Sequence, residues 1–232
     1  MHRYEIKPDV RERVIARQGK LFSHDTIEAG RTALVVVDMQ NYFCAEGFPA
    51  EVPPSRGVVP NINRIASAMR SAGGTVVWIQ TSSAGACERW SNFQNRMLIP
   101  ARHEKRMEQL DEGSEGFKLY PALDVKPGDI RVKKLTYSAF LPAPSELDAA
   151  LKARGVDTIL IVGTATNVCC ESTARDAMLS NYRVVMVSDG NATWTDEEHA
   201  KTLDTFFMFF GDVMSTDEVL ARLTATQQRK SA

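Results

Sequence analysis

Three kinds of reactive side chain follow predicted strands that lie far apart in this sequence. Cys169 comes shortly after the apolar run ILIV, and Asp38 follows three consecutive valines. Lys133 and Lys134 end a third apolar stretch. A cysteine on a turn between a strand and a helix lies where free backbone N–H groups and the helix dipole favour negative charge. We therefore expect the Cys169 thiol to ionise readily and to act as a nucleophile.

A carboxylate beside such a thiol can serve as its base. Asp38 would take the thiol proton and then return it to the leaving group; the alternative is a turn aspartate that caps local N–H groups. A lysine close to the thiol would stabilise the thiolate. Strand alternation sends Lys133 and Lys134 to opposite faces of a sheet, so spacing alone does not decide which of them enters the cleft.

The cysteines and histidines of the chain indicate no other kind of reactive site. The alternative interpretation of Cys169 is a small buried apolar residue, and Cys170, about 100° further round a helix, is expected to pack in the core. Four cysteines are too few for a disulfide framework in a chain of this length, and none has the spacing of a zinc site. No histidine follows these strands, which disfavours a Cys–His pair of the papain kind.

Alternating strand and helix patterns predict a doubly wound α/β fold, with a mostly parallel six-stranded sheet and helices on both faces. The predicted strands are 32–38 (ending at Asp38, within the run 32–40), 75–81, 129–135, 157–163, 182–190 and 212–216. The predicted helices are 59–72, 145–155, 167–181, 195–209 and 216–225. Such sheets bind ligands at the carboxyl ends of their strands, near the point where the strand order reverses. That edge would bring Asp38, one lysine and Cys169 together.

The remaining segments complete the predicted organisation. Residues 1–30 are interpreted as a polar arm with about one helical turn, before a single domain over 31–232. Residues 82–128 are expected to hold short helices, and long excursions of this kind tend to be functional. Ser145 and Gly155 are the expected caps of the helix between them.

Composition excludes several classes of partner. The 232 residues carry 28 Lys+Arg against 29 Asp+Glu, a net charge of −1, so no overall field attracts nucleic acid or an anionic membrane. No apolar run reaches the roughly 18–20 residues that cross a bilayer. The first twenty residues lack the apolar stretch of a signal peptide. The cytoplasm is therefore the expected location.

Three segments resemble the isochorismatase-like cysteine hydrolases. They are ALVVVDMQNYF at 33–43, KLTYSAF at 134–140 and VGTATNVCCESTARDA at 162–177, and the likeness extends over about residues 30–220. The resemblance implies a catalytic triad of Asp38, Lys134 and Cys169. It selects Lys134 because the family's lysine lies three residues before a Tyr-Ser pair, here Tyr137-Ser138.

The resemblance also implies the backbone of the site and the absence of a cofactor. A cis peptide is expected at Thr164–Ala165, and the N–H groups of Ala165 and Cys169 are expected to form an oxyanion hole. Nicotinamidases of the family hold a metal through an aspartate and several histidines between the first two strands. This chain has no histidine between His24 and His103, so we expect neither a metal nor another cofactor.

Within the family, the chain looks most like the ureide hydrolases, which act on ureidoacrylate, biuret or triuret. The expected reaction is cleavage of a C–N bond of a small ureido or carbamoyl compound through a thioester, with release of ammonia or an amine. Candidate substrate-binding residues are Gln40, Phe43, Trp90, Asn92, Phe93, Asn95, Tyr137 and Asn167. For Trp90 and Phe93, packing or a subunit contact explains the pattern equally well.

Three alternatives stay open at this point. One is an isochorismatase that cleaves a vinyl ether, and another is a hydrolase of some other small amide. The third is a non-catalytic binding subunit that keeps the pocket. The family implies a homodimer or a homotetramer, with a small molecule as the only other partner.

Overall fold

The computed structural model describes residues 2–143 and 145–230, the last seven of them as backbone only. Six strands form one sheet: β1 Thr32–Val37, β2 Thr75–Thr81, β3 Ile130–Lys134, β4 Thr158–Thr164, β5 Arg183–Ala192 and β6 Asp212–Met214. The helices are α1 Pro8–Gln18, α2 Asn41–Cys44, α3 Ser55–Ser71, α4 Ala86–Arg89, α5 Pro100–Gln109, α6 Glu146–Lys152, α7 Glu171–Leu179, α8 Asp196–Phe209 and α9 Thr216–Lys230. A 3-10 turn covers Ala29–Arg31, and π turns cover Phe93–Met97 and Thr166–Cys170.

The sheet confirms the predicted doubly wound α/β fold. Its strand order is β3-β2-β1-β4-β5-β6, and all neighbouring strands pair in parallel. The order reverses between β1 and β4, so the carboxyl ends of these two strands flank the switch point. Both strands are buried along their whole length, which explains their continuous apolar sequences.

Side-chain alternation along β1 divides the core into two layers. Ala33, Val35 and Val37 join a cluster with residues of α1, α6, α7 and α8. Leu34 and Val36 join the opposite cluster, with residues of α3 and α9. The period of two along a strand therefore places helices on both faces of the sheet. No helix in the described part of the chain is long and apolar enough to cross a membrane.

Some predicted boundaries were wrong in ways that matter for the site. The first strand ends at Val37 rather than at Asp38, which leaves Asp38 just beyond it. The helix predicted from 167 begins as α7 at Glu171, because residues 166–170 form the wider π turn. The predicted N-cap Ser145 accepts from the Asp148 N–H at 3.1 Å. Gly155 does not cap α6, which ends at Lys152.

The first thirty residues contain more structure than the single turn predicted. α1 has eleven residues and begins with a proline at its first position, a favoured start for a helix. Val10 and Val14, one turn apart, are buried in the cluster that also contains Phe206 and Phe207 of α8. This segment therefore packs against α8, in the layer of helices on one face of the sheet.

Gly163 of β4 lies opposite Val37 of β1, just before the site. Its φ is +121°, and a Cβ placed there would lie 2.1 Å from the Val37 carbonyl oxygen. Only glycine fits this position. We expect Gly163→Ala to lower the free energy of unfolding by about 3 kcal/mol or more, measured by urea denaturation.

Gly128→Ala is the matched control, because a Cβ at Gly128 meets no atom within 4 Å. That variant should unfold close to the wild-type midpoint. A Gly163→Ala protein with an unchanged midpoint would show that the approach of β4 to β1 is looser than the structure has it.

Candidate active site

Asp38 and Lys134 form a buried ion pair at the carboxyl edge of the sheet. Asp38 follows β1 with a φ of +52°, and Lys134 is the last residue of β3. The Lys134 Nζ lies 2.8 Å from Asp38 Oδ2, and the two side chains are 1% and 0% exposed. The positive φ turns the chain out of the strand, in a conformation that aspartate adopts more readily than most residues.

Thr81 connects the pair across the intervening strand, β2. Its hydroxyl donates to Asp38 Oδ1 at 2.9 Å and accepts from Lys134 Nζ at 2.8 Å. Lys134 also donates to the Thr136 carbonyl at 2.9 Å. The ammonium thus has three oxygen partners, which fixes its position. Sequence reasoning missed Thr81, although its place at the end of a predicted strand was a usable signal.

The sheet register resolves the choice between the two lysines. Thr81 pairs with Lys134 in the β2–β3 ladder, so the two residues lie side by side at the carboxyl ends of their strands. Lys133 points to the other side, where it is exposed and pairs with Glu112 at 2.5 Å. The residue selected by the family resemblance is the one that meets Asp38.

Cys169 lies in the π turn after β4 and is 7% exposed. The Ala165 carbonyl accepts from the N–H groups of both Val168 and Cys170, at 3.1 Å each, and this widens the turn. Cys170 is fully buried in the core, as predicted. The Thr164–Ala165 peptide is cis, as the resemblance implies, and the Leu141–Pro142 bond is also cis.

The expectation that Cys169 ionises readily was wrong for the protein without substrate. Burial raises the pKa of the thiol to about 12. Lys134 opposes this shift, while the carboxylate of Asp38 adds to it. Desolvation therefore outweighs the favourable end of the following helix. Burial thus favours the protonated thiol, so a neighbouring base is needed to take up its proton.

Lys134 remains charged in the same surroundings. Burial acts to lower its pKa, but the negative charge of Asp38 outweighs this, with a further contribution from Cys169 whenever its thiolate forms, and the pKa lies above its ordinary value. A fixed cation thus lies beside the thiol and its potential base. An ion pair placed this way stabilises a thiolate once one forms.

A cavity of about 370 Å³ opens over Cys169. Ala165 and Cys169, the expected oxyanion-hole residues, both line it. Among the substrate-binding candidates, Phe43, Phe93 and Tyr137 also line it. The volume suits a small molecule.

Trp90 packs against two aromatic residues of the cavity wall. Its ring stacks on Phe93, with centroids 4.1 Å apart, and meets Tyr137 edge-on at 4.8 Å. Trp90 itself is not part of the lining. For this residue the structure supports the packing interpretation.

The polar candidates do not line this cavity. The Gln40 amide is occupied, since it donates to the Thr81 and Phe117 carbonyls and accepts from the Thr81 N–H. Asn92 and Asn95 are exposed. Asn167 accepts from the Thr193 hydroxyl at 2.6 Å. Gln40 instead joins β1 to the end of β2, so it positions the site.

Two arginines in the wall were missed by sequence reasoning. Arg102 and Arg106 lie one turn apart on α5, and both line the cavity. Their spacing of four is the signal that was available, because it places both on one face of a helix. No group of three or more His, Cys, Asp or Glu side chains in the described part of the chain is placed to hold a metal ion.

A buried histidine supports the turn that carries Cys169. His199 Nδ1 lies 2.9 Å from the Thr166 hydroxyl, and the His199 ring stacks on His2 with centroids 4.7 Å apart. Burial, together with the neighbouring His2, lowers the pKa of His199 from 6.5 to about 4. His199 is therefore neutral at physiological pH.

This shift predicts a loss of stability in mild acid. The unfolded chain takes up a proton at His199 below about pH 6.5, whereas the folded protein does so only near pH 4. Stability should be full above pH 6.5 and fall through that window, by about 3 kcal/mol at most. Urea midpoints at several pH values would measure the fall.

His199→Asn should flatten this dependence, and His103→Asn, at a half-buried position on α5, should leave it unchanged. An equally steep fall in the His199→Asn protein would assign the effect to other groups.

Comparison with known proteins gives the family. The model of the isochorismatase domain matches residues 32–218. A ureidoacrylate amidohydrolase, RutB, of Methylorubrum extorquens is 32% identical over 211 residues, 84% of each chain. A cysteine hydrolase structure from Pseudomonas syringae pv. phaseolicola has a TM-score of 0.75 at 31% identity, over 87% of this chain and 96% of that one.

A further solved structure is that of an enzyme named for its substrate. N-carbamoylsarcosine amidase from Thermoplasma acidophilum has a TM-score of 0.63 at 27% identity, over 81% of this chain and 97% of that one. The fold, the family model and these likenesses agree. This chain belongs to the isochorismatase domain family, among its cysteine hydrolases.

Proposed function

We propose that this protein is a cysteine-dependent amidohydrolase that cleaves a C–N bond of a small ureido or carbamoyl compound. The observation that carries the proposal is the buried Asp38–Lys134 pair beside the Cys169 thiol at a small cavity. The coarser statement rests on the relatives: the chain is a hydrolase of carbon–nitrogen bonds other than peptide bonds.

The names of two relatives support the choice of substrate class. Ureidoacrylate and N-carbamoylsarcosine both carry an N-carbamoyl group. The cavity suits compounds of that size. A ureide hydrolase is therefore favoured over an enzyme that cleaves a vinyl ether.

The first half-reaction begins with proton transfer from Cys169 to Asp38. The sulfur attacks the substrate carbonyl carbon, and the electron pair moves to the carbonyl oxygen. We assign the N–H groups of Ala165 and Cys169 to that oxyanion. The C–N bond then breaks, Asp38 gives its proton to the departing nitrogen, and a thioester remains on Cys169.

Water completes the cycle. Asp38 takes a proton from a water molecule, whose oxygen attacks the thioester carbonyl. The C–S bond breaks, and the proton held by Asp38 returns to the sulfur. Lys134 stays protonated throughout. It stabilises the thiolate that forms before attack on the substrate and the thiolate released when the C–S bond breaks.

The raised pKa of the thiol fits this sequence of steps. A thiol that is protonated at rest needs an adjacent base, and Asp38 occupies that position. Attack is then coupled to proton removal, as in other sites that pair a nucleophile with a base.

Product analysis tests the proposal. Purified enzyme would be incubated with small ureides, simple amides and isochorismate, and ammonia, amine and pyruvate would be quantified. We expect C–N cleavage of at least one ureide, with none in a Cys169→Ala protein. Pyruvate from isochorismate without C–N cleavage of any ureide or amide would favour the vinyl ether alternative and overturn the proposal.

We also propose that the chain assembles as a homodimer or homotetramer. Met97 and Ile99, 65% and 64% exposed, present apolar surface beside the cavity wall. Sedimentation equilibrium of the purified protein would give its mass in solution, and a monomer at all concentrations would exclude this proposal.

A further inference from the structure

The cavity contains two positive charges that no protein carboxylate balances. Arg102 and Arg106 line it, and within the described part of the chain neither guanidinium forms an ion pair. The Asp38 carboxylate beside the cavity is already paired with Lys134. An arginine that lines a cavity without a partner suits a carboxylate, because its planar fork binds both oxygens.

The single carboxylate among the described lining residues is also occupied. Glu51 lies 2.7 Å from Arg56, and it accepts from the Gly47 N–H at 2.9 Å. Both contacts, led by the hydrogen bond from Arg56, hold the pKa of Glu51 below its ordinary value, so it stays charged and paired. Glu51 therefore leaves the charges of the two arginines unbalanced.

Arg106 is the better placed of the two. It is half-buried, whereas Arg102 is exposed. Its guanidinium carbon lies 5.4 Å from the centre of the Phe93 ring and 6.0 Å from that of Tyr42. Its charge acts to lower the pKa of the Cys169 thiol, so it is felt at the reacting sulfur. The flanking rings orient the guanidinium within the cavity.

We propose that the substrate is an anion, a ureido or carbamoyl acid whose carboxylate binds Arg106, with Arg102 assisting at the cavity mouth. This inference rests on the proposed function, and it specifies a group of the substrate, the carboxylate, that does not itself react. The ureido carbonyl lies at Cys169 while the carboxylate lies at Arg106. Neutral ureides such as biuret leave the charge of Arg106 without a balancing anion and are disfavoured.

Matched substrates test the anion preference directly. 3-Ureidopropionate and propylurea differ in a carboxylate against a methyl group. We expect wild-type enzyme to have a kcat/KM at least about tenfold higher for the acid, the effect of one hydrogen bond to a charged group. Arg106→Gln should remove most of this preference, and Arg106→Lys should keep part of it.

Lys105→Gln is the control, because Lys105 is the exposed neighbour on α5 and does not line the cavity. It loses the same charge and should keep the full preference. Equal rates on the two substrates in wild type, or a preference that survives in Arg106→Gln, would overturn the inference.

Alkylation of Cys169 gives a second readout that needs no turnover. Iodoacetate carries a carboxylate and iodoacetamide does not, so the ratio of their rates at Cys169 cancels differences in thiol ionisation. Mass spectrometry of the peptide would report both rates. The ratio should fall about tenfold in Arg106→Gln and stay constant in Lys105→Gln.

The two readouts separate the two proposals. Failure of the proposed function leaves all ureides intact, yet the alkylation ratio still reports the anion site. Failure of this inference leaves C–N cleavage in place, without preference for the acid and with an alkylation ratio that Arg106→Gln does not change.

Discussion

Replacing Cys169 by serine is expected to reduce turnover by at least about 10⁴-fold, because it removes the nucleophile from a unit that acts together. A serine hydroxyl is far less acidic than a thiol, and Asp38 is not expected to activate it. The rate of ammonia or amine release, divided by the folded fraction that circular dichroism reports, would give the loss.

Cys170→Ser is the matched control for this variant. The two cysteines are adjacent and both buried, but Cys170 packs in the core and does not line the cavity. Its serine variant should lose some stability, since a hydroxyl is buried there, and keep its activity per folded molecule. Equal losses per folded molecule in the two variants would assign the Cys169 effect to a disturbed turn rather than to the loss of the nucleophile.

Replacing Asp38 by asparagine is expected to reduce kcat by about 10²–10⁴-fold, the range for loss of a general acid–base group. Asparagine tolerates the positive φ of this position as well as aspartate does, so the backbone is kept. The variant should fail in both half-reactions, because one carboxylate serves both. Steady-state kinetics with the best ureide would measure the loss.

Asp38→Asn also leaves the buried Lys134 without its anion, which lowers stability. Asp129→Asn controls for this effect. The side chain of Asp129 is 4% exposed and pairs with Arg70 at 2.7 Å, just before the start of β3 and so at the opposite edge of the sheet. That variant should be destabilised yet active, and wild-type rates in Asp38→Asn would rule the carboxylate out as the base.

Much of the fold was predictable because it depends on patterns local to each element. The apolar runs that became β1 and β4 are buried on both faces, and such strands read as continuous apolar sequence. The alternation of strands with helices then gave a parallel sheet and its ligand-binding edge. α1 was underestimated because only Val10 and Val14 mark its buried face.

The position of the reactive residues was predictable to the level of the sheet edge. Alternation alone left Lys133 and Lys134 equivalent, and only the register with Thr81 distinguishes them physically. The acidity of Cys169 was not predictable in the same way. It depends on burial and on the distance to Asp38, and both arise from tertiary packing.

The cavity wall was the least predictable part. Residues 82–128 lack a hydrophobic period, so the spacing of four that places Arg102 and Arg106 on one face of α5 did not show that this face lines a cavity. Asparagines were favoured because amides match the hydrogen-bonding groups of a ureide. Asn92 and Asn95 are exposed instead, and the aromatic pair Trp90 and Phe93 builds the wall.

The mass of the enzyme during turnover tests most directly whether Cys169 is the nucleophile. A ureide that the enzyme hydrolyses would be mixed with it, the reaction quenched in acid within milliseconds to seconds, and the intact protein and its peptides weighed. We expect a carbamoyl or substituted carbamoyl group on Cys169 that forms and decays with turnover and is absent from Cys169→Ala. Full turnover by Cys169→Ala, or an adduct that maps to another residue, would contradict this role of Cys169.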